Sequence, residues 1–394
     1  MEHQKKLLKN IQLNYYFSFF ISFGITSMWV LYLAYKGMSL WEIGLIEGIF
    51  HGSSLLFEIP SGAIADTYGL RKTLIVGRLF AILSGLLLIF ASSFWLLSLG
   101  FVLSALSYNL NSGTNEALVF ESLKANSIEK TYLTVASKMN MVYEISSTFG
   151  IIVAGVLLDS YFEGVYLVQI ALAILSIVSV FRMIEPPTPK NSEKKERIRY
   201  RDTLKEAYNI LKGNLELVYL MAFFAILEGV AATFFFYFQS YLDDLKMPGY
   251  FISLLVFISC LFQATGSKCA PQIEGKLGKK GILFWMPITL ALLLLAAGLA
   301  SFPLILIFYV AINTLVAILA PIASDYFNQL IPSEQRATLI SVSSMFYSFV
   351  MIILFPLIGG LAEIIRLKMC FILMGIFLSG LVVFQFFFTR QKQR

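Results

Sequence analysis

Charge is scarce in this chain: only 14% of its 394 residues are Asp, Glu, Lys or Arg, where soluble globular chains carry about a quarter. It is missing in whole blocks, with Arg78 the only charged side chain between residues 73 and 115. Stretches of that length and apolarity exclude an ordinary water-soluble domain and demand a bilayer. Cysteine is nearly absent. Cys260, Cys269 and Cys370 show neither metal-ligand spacing nor a disulfide framework, so they read as small apolar fillers. No Walker loop occurs, which removes ATP as the energy source, and no metal or nucleophile constellation stands out, which argues against an enzyme. No cofactor is expected. Segments of about ten alternating residues, the mark of a transmembrane β-barrel, are lacking too.

What is present is apolar: 58% of the residues, with 36 phenylalanines. Apolar runs between polar breaks give twelve spans, at about 12–35, 40–65, 73–92, 94–119, 131–158, 162–184, 214–241, 249–270, 281–301, 303–330, 337–362 and 368–389. The first follows MEHQKKLLKN and lacks a small-residue cleavage site, so it reads as a retained helix and not a signal peptide. Between the sixth and seventh spans lies the longest polar stretch, whose prolines break the helix and whose residues 198–212 suit an amphipathic helix at the membrane surface. With both termini cytoplasmic, only Lys36, Lys246, Arg366 and Lys368 of the 30 basic residues fall on the outer side. The positive-inside rule therefore expects a multi-pass protein of the cell membrane with both ends inside. The net charge of +6 belongs to the inner loops and fits anionic lipid headgroups, not nucleic acid.

A shift of 209 residues aligns the halves weakly. It lays DTYGLR (66–71) over GKLGKK (275–280), Gly69 over Gly278, Gly150 over Gly359 and Glu116 over Asp325. The fold class expected is an all-α polytopic membrane protein, twelve transmembrane helices in two pseudo-symmetric six-helix bundles at 1–184 and 214–394, joined by a cytoplasmic linker at 185–213. Such a repeat is the architecture of a rocking transporter with its substrate between the halves.

GAIADTYGLRK (62–72), between the second and third spans, resembles the cytoplasmic loop signature of the major facilitator superfamily. Gly62, Asp66, Gly69, Arg71 and Lys72 match it, whereas Thr67 and Leu70 stand where that family usually has basic residues. EIPSGAIAD and NQLIPSEQRATLIS (328–341) look like bacterial members. The resemblance implies a gate holding the cytoplasmic side shut, with Glu121 of VFESLK as the matching acid at the end of the fourth helix. Gly62 is expected to admit a neighbouring helix, Gly69 to permit a tight turn, and Asp66 to cap the next helix and attract Arg71. The Gly-Pro-x-x-Gly-Gly element usual in the family's drug/proton antiporters is absent from the fifth helix, which reads STFGIIVAG; a partial likeness, PLIGG, stands in the eleventh.

Carboxylates at bilayer depth are functional candidates by their cost alone. Glu47, His51 and Glu58 share one face of the second helix and form either a proton relay or a hydrated seam between helices. Glu116 and Asp325 lie toward the cytoplasmic ends of the fourth and tenth spans, which suits gating or helix anchoring. Glu144 and Glu228 fall near the middle of the fifth and seventh, where they suit proton coupling or a cationic substrate. The function expected is secondary active transport of a small molecule by a monomeric protein, with protons as coupling ion and export of small amphipathic molecules as the leading form. Nutrient uptake by symport or facilitated diffusion is the alternative, and needs more buried Asn, Gln or Arg in the cavity. A non-transporting receptor or lipid-handling protein is the third.

Overall fold

The computed structural model describes residues 2–187, 212–330 and 336–391. The expected surface helix at 198–212 and much of the 328–341 motif lie outside these described residues. Within them there is no strand. The first half runs α1 Glu2–Ile21, a 3₁₀ turn at Gly24–Thr26, α2 Trp29–Tyr35, α3 Leu40–Tyr68, α4 Leu70–Phe90, α5 Phe94–Asn111, α6 Thr114–Lys124, α7 Tyr132–Ser160 and α8 Gly164–Arg182. The second runs α9 Leu215–Asp244, α10 Gly249–Ser267, α11 Ala270–Leu299, α12 Leu304–Leu330, α13 Arg336–Ile364 and α14 Leu367–Gln391.

Each of the twelve apolar segments overlaps a helix, but length and apolarity assign fewer spans. Among the described residues nine helical stretches can cross a membrane, or ten when α1 and α2 count as one span bent by 47°. Outside that set are α3, with its four carboxylates, and α14, whose apolar part Leu367–Val383 is short.

The chain forms two compact units: Met1–Tyr32 with Ile46–Lys205, and Leu33–Leu45 with Glu206–Arg394. In the first, α4 packs on α5 and α8, and α1 packs on α6, α7 and α8. Phe17, Leu74, Leu118, Val180 and Met183 make its apolar centre. Asn10 ties three elements: its amide donates to Ser122 Oγ (3.0 Å) and the Ile184 carbonyl (2.9 Å), and Ile184 N–H returns a bond to Asn10 Oδ1 (3.0 Å).

Two helices of this unit are broken. The first breaks where Phe23 turns extended, leaving the Phe19 carbonyl without its helical donor; Ser146 of α7 supplies the missing bond. Gly150, one turn on, packs backbone against backbone, since a Cβ there would sit 2.1 Å from Gly24 N. The fourth span, read from sequence as continuous, breaks between α5 and α6 at Gly113 (φ +72°), a conformation glycine takes without steric cost.

In the second unit, α11 packs on α12 and α14, α10 on α12, and α9 on α13. Phe234, Phe238, Tyr309 and Phe371 form its aromatic centre. Segment 33–45 belongs here: Trp41 N–H donates to Glu363 Oε1 (2.8 Å), and Tyr237 Oη contacts the carbonyls of Leu40 (3.3 Å) and Phe355 (3.0 Å). Gly359 makes this docking fit, because a Cβ there would lie 2.2 Å from the Leu40 carbonyl oxygen. The two glycines matched by the 209-residue shift, Gly150 and Gly359, thus both lie where backbone meets backbone. The same shift joins Gly69 (φ +97°, ψ 151°) to Gly278 (φ +63°, ψ 170°), where α11 kinks.

Candidate functional site

The turn at Gly69 is built differently from the sequence expectation. Asp66 does not cap α4; it is exposed and has no bonding partner among the described residues. The cap is Glu185, just beyond α8, whose carboxylate accepts from Leu70 N–H (2.6 Å) and Arg71 N–H (3.0 Å). A carboxylate there satisfies two open donors and complements the helix dipole. It fits because Gly69 has no side chain: a Cβ would come within 2.9 Å of Glu185 Oε1. Arg71 turns from Asp66 as well, donating to the carbonyls of Val180 (3.0 Å) and Phe181 (2.7 Å) in the last turn of α8. Lys72 is exposed, and Glu121 faces Lys124 at 4.0 Å. Gly62 admits no neighbouring helix here, since nothing lies within 4 Å of its missing Cβ.

The α3 stripe is split between partners. His51 Nε2 lies 3.3 Å from Glu47 Oε1, and both side chains are buried. Ser54, next along the face, exchanges two bonds with Asn109 of α5 (2.9 and 2.7 Å). Glu58 is half-buried a turn further on. Ser54 and Asn109 thus join this face of α3 to α5.

The first unit holds a half-open cavity of about 280 Å³, near the lower end of the roughly 300–1,000 Å³ usual for small-molecule sites. Both helix breaks border it: Ser18, Ile21 and Ser22 from the first, Asn111, Ser112, Asn115 and Glu116 from the second. Arg78 of α4, Tyr108 of α5, and Met139, Asn140 and Tyr143 of α7 complete the wall. Broken helices at membrane depth are tolerated where they line such a space, because their freed backbone groups find polar company. One wall is a relay of amides, in which Asn14 donates to Asn115 Oδ1 and Ser18 Oγ donates to Asn14 Oδ1 (3.2 Å). On another, Gly77 makes room for Asn111, whose Nδ2 would lie 2.5 Å from a Cβ at that position. Arg78 Nη2 donates to Ser107 Oγ at 2.6 Å, while its Nε and Asn111 Oδ1 are buried without partners among the described residues.

Of the carboxylates singled out in the sequence, only Glu116 reaches this cavity. Glu144 is exposed on α7 and Glu228 on α9, each without a bonding partner among the described residues. Asp325 is exposed on α12 and accepts from Gln329 Nε2 at 2.7 Å. The cluster of Arg78 with asparagines, and the Glu185 cap, are absent from the sequence reading. Arg78 had a visible signal, as the lone charge of an apolar block; Glu185, 115 residues from Leu70, had none.

Comparison with known proteins supplies independent findings. A family profile described as Major Facilitator Superfamily matches residues 13–286. The chain is 25% identical over 374 residues to the "Uncharacterized MFS-type transporter YxaM" of Bacillus subtilis (strain 168), covering 91% of this chain and 90% of that one. Among solved structures it superposes on the nucleoside transporter NupG with a TM-score of 0.73, at 15% identity over 97% of this chain and 98% of that one. A D-xylose-proton symporter gives a TM-score of 0.66 at 13% identity, over 96% of each chain. At these identities the two structures speak for the fold alone.

Proposed function

The chain belongs to the major facilitator superfamily, and on that premise we propose that this membrane transporter carries a small polar solute by alternating access, with protons as the coupling ion. The observation that carries the reading is the lining of the first unit's cavity, where Arg78, Asn111, Asn115 and Asn140 converge. Solute selectivity in such a site comes from a few placed polar groups, and an amphipathic cargo leaves them unpaired at a cost. These placed polar groups, set in a wall that also carries Ile21 and Met139, favour the nutrient-type reading over export of amphipathic molecules. One observation favours the second: Phe235 and Phe236, two turns from Glu228 on α9, are only half-buried. In this reading both termini are cytoplasmic, and the α3–α4 turn with Asp66 and Arg71 belongs to the inner gate.

Asn140 tests the cavity. It faces the open space without a bonding partner among the described residues, so Asn140→Leu removes one solute contact and leaves the packing intact. In proteoliposomes the substitution should raise the KM for the transported solute about tenfold, the loss of roughly one hydrogen bond, at unchanged protein recovery. An unaltered KM removes the cavity from the reading.

Glu228 is the proposed proton carrier. A carboxylate exposed in the middle of a span and free of partners among the described residues can change protonation without breaking a packed network. Glu228→Gln keeps the shape and hydrogen-bonding capacity while removing the titratable charge. Uphill, pH-driven transport should be lost and downhill exchange kept. An unchanged pH profile in the variant assigns Glu228 a structural role.

A further inference from the structure

We infer that the carried solute bears a single anionic group, a carboxylate or phosphate monoanion, which docks on Arg78. The inference rests on the cavity reading above and narrows it. A guanidinium is charged at every physiological pH and offers five donors. Arg78 is the one charge in an apolar stretch of α4, with Nη2 bonded to Ser107 Oγ and Nε buried without an acceptor among the described residues. No carboxylate lies within ion-pairing distance among the described residues. A cation at membrane depth costs several kcal/mol by some scales when left uncompensated, and such residues turn toward cavities that supply a partner. Here the cavity is at hand and the partner is missing.

Geometry selects the partner's chemistry. The planar fork of arginine matches the two oxygens of a carboxylate or phosphate, which neutral hydroxyls and amides reproduce poorly. Asn140 and Asn115 on the other walls suit the neutral, hydrogen-bonding remainder of a solute. Glu116 borders the same space and sets the charge limit. Its carboxylate repels a second negative group, so a monoanion is preferred over a dianion. Lipid headgroup phosphate shares the anionic chemistry, and only flux separates it from a soluble solute.

The test uses full-length protein in neutral phosphatidylcholine liposomes and solutes matched in shape but graded in charge. Succinamide, succinamate and succinate form one series; glucose, glucuronate and glucose 6-phosphate form another. Binding is read by thermal shift in detergent and transport by flux, at constant ionic strength. The monoanions should bind and be carried in preference to their neutral and dianionic counterparts. Arg78→Gln should abolish that preference, with a loss of about tenfold to a hundredfold in monoanion affinity. Arg78→Lys keeps a cation in place and guards against misfolding; it should retain anion selectivity at about tenfold lower affinity. Equal binding of neutral and anionic members, or undiminished anion affinity in Arg78→Gln, overturns the inference while leaving the transporter reading intact. Stabilisation by added phosphatidylglycerol alone, with no anion flux, assigns Arg78 to a lipid and overturns it as well. If no solute of any charge is carried, the transporter reading itself fails.

Discussion

Gly150→Ala should be recovered from detergent as aggregate, whereas Gly52→Ala is recovered like the unsubstituted protein. The contrast isolates packing from helix propensity. Both glycines lie in helices, where alanine is favoured by about 1 kcal/mol. At Gly52 nothing stands within 4 Å of the added methyl, so that gain is free to appear. At Gly150 the methyl would lie 2.1 Å from Gly24 N and 2.7 Å from its Cα. These are backbone atoms of the broken first helix, so no side chain can rotate away. Overpacking of a core commonly costs about 1–3 kcal/mol; a backbone obstacle, which also pulls Ser146 from the Phe19 carbonyl, belongs at or above the upper end. Size-exclusion profiles of the two variants decide the matter. A monodisperse Gly150→Ala would show that α7 can move off the break.

The second large effect concerns Asp66. Asp66→Asn should fold and insert normally and yet carry solute no faster than protein-free liposomes. Folding is spared because Glu185, not Asp66, caps α4, and because Arg71 is held by the carbonyls at the end of α8. Asp66 itself is exposed without a bonding partner among the described residues. In the proposed gate, a charge that does no work in this arrangement, within a loop resembling the family's signature, would act in another state of the cycle. Accessibility labelling of the variant should shift toward the inward-open state. Wild-type flux in Asp66→Asn would remove the residue from the gate. Gly62→Ala is a companion: its methyl meets nothing here, so any loss of flux from it also reports another state.

How much of this was legible in the sequence depended on range. Apolar length marked each helical segment, and the 209-residue shift found Gly69 with Gly278 and Gly150 with Gly359, because those glycines answer to backbone conformation and contact near the element itself. The break at Gly24 was hidden, since apolar residues flank it and the bond that makes it tolerable comes from elsewhere, Ser146 on α7; the break at Gly113 falls in the polar run NLNSGTNE (109–116), which was read as part of one continuous span. The α4 cap was assigned to the nearest carboxylate, Asp66, when the chain uses one from beyond α8. The cavity was missed for a different reason. Attention to rare buried acids left Arg78 as no more than a charge for them to neutralise, and Asn111, Asn115 and Asn140 look like ordinary polar interruptions until four helices bring them together with it.

Solute flux into proteoliposomes of the full-length protein under an imposed pH gradient tests the central claim most directly. The panel spans sugars, nucleosides, amino acids and small organic anions, with lipophilic cations alongside. The account predicts saturable, gradient-driven movement of a small polar solute, weakened by Asn140→Leu. Flux no greater than in protein-free liposomes, or saturable flux confined to the lipophilic cations, would contradict it.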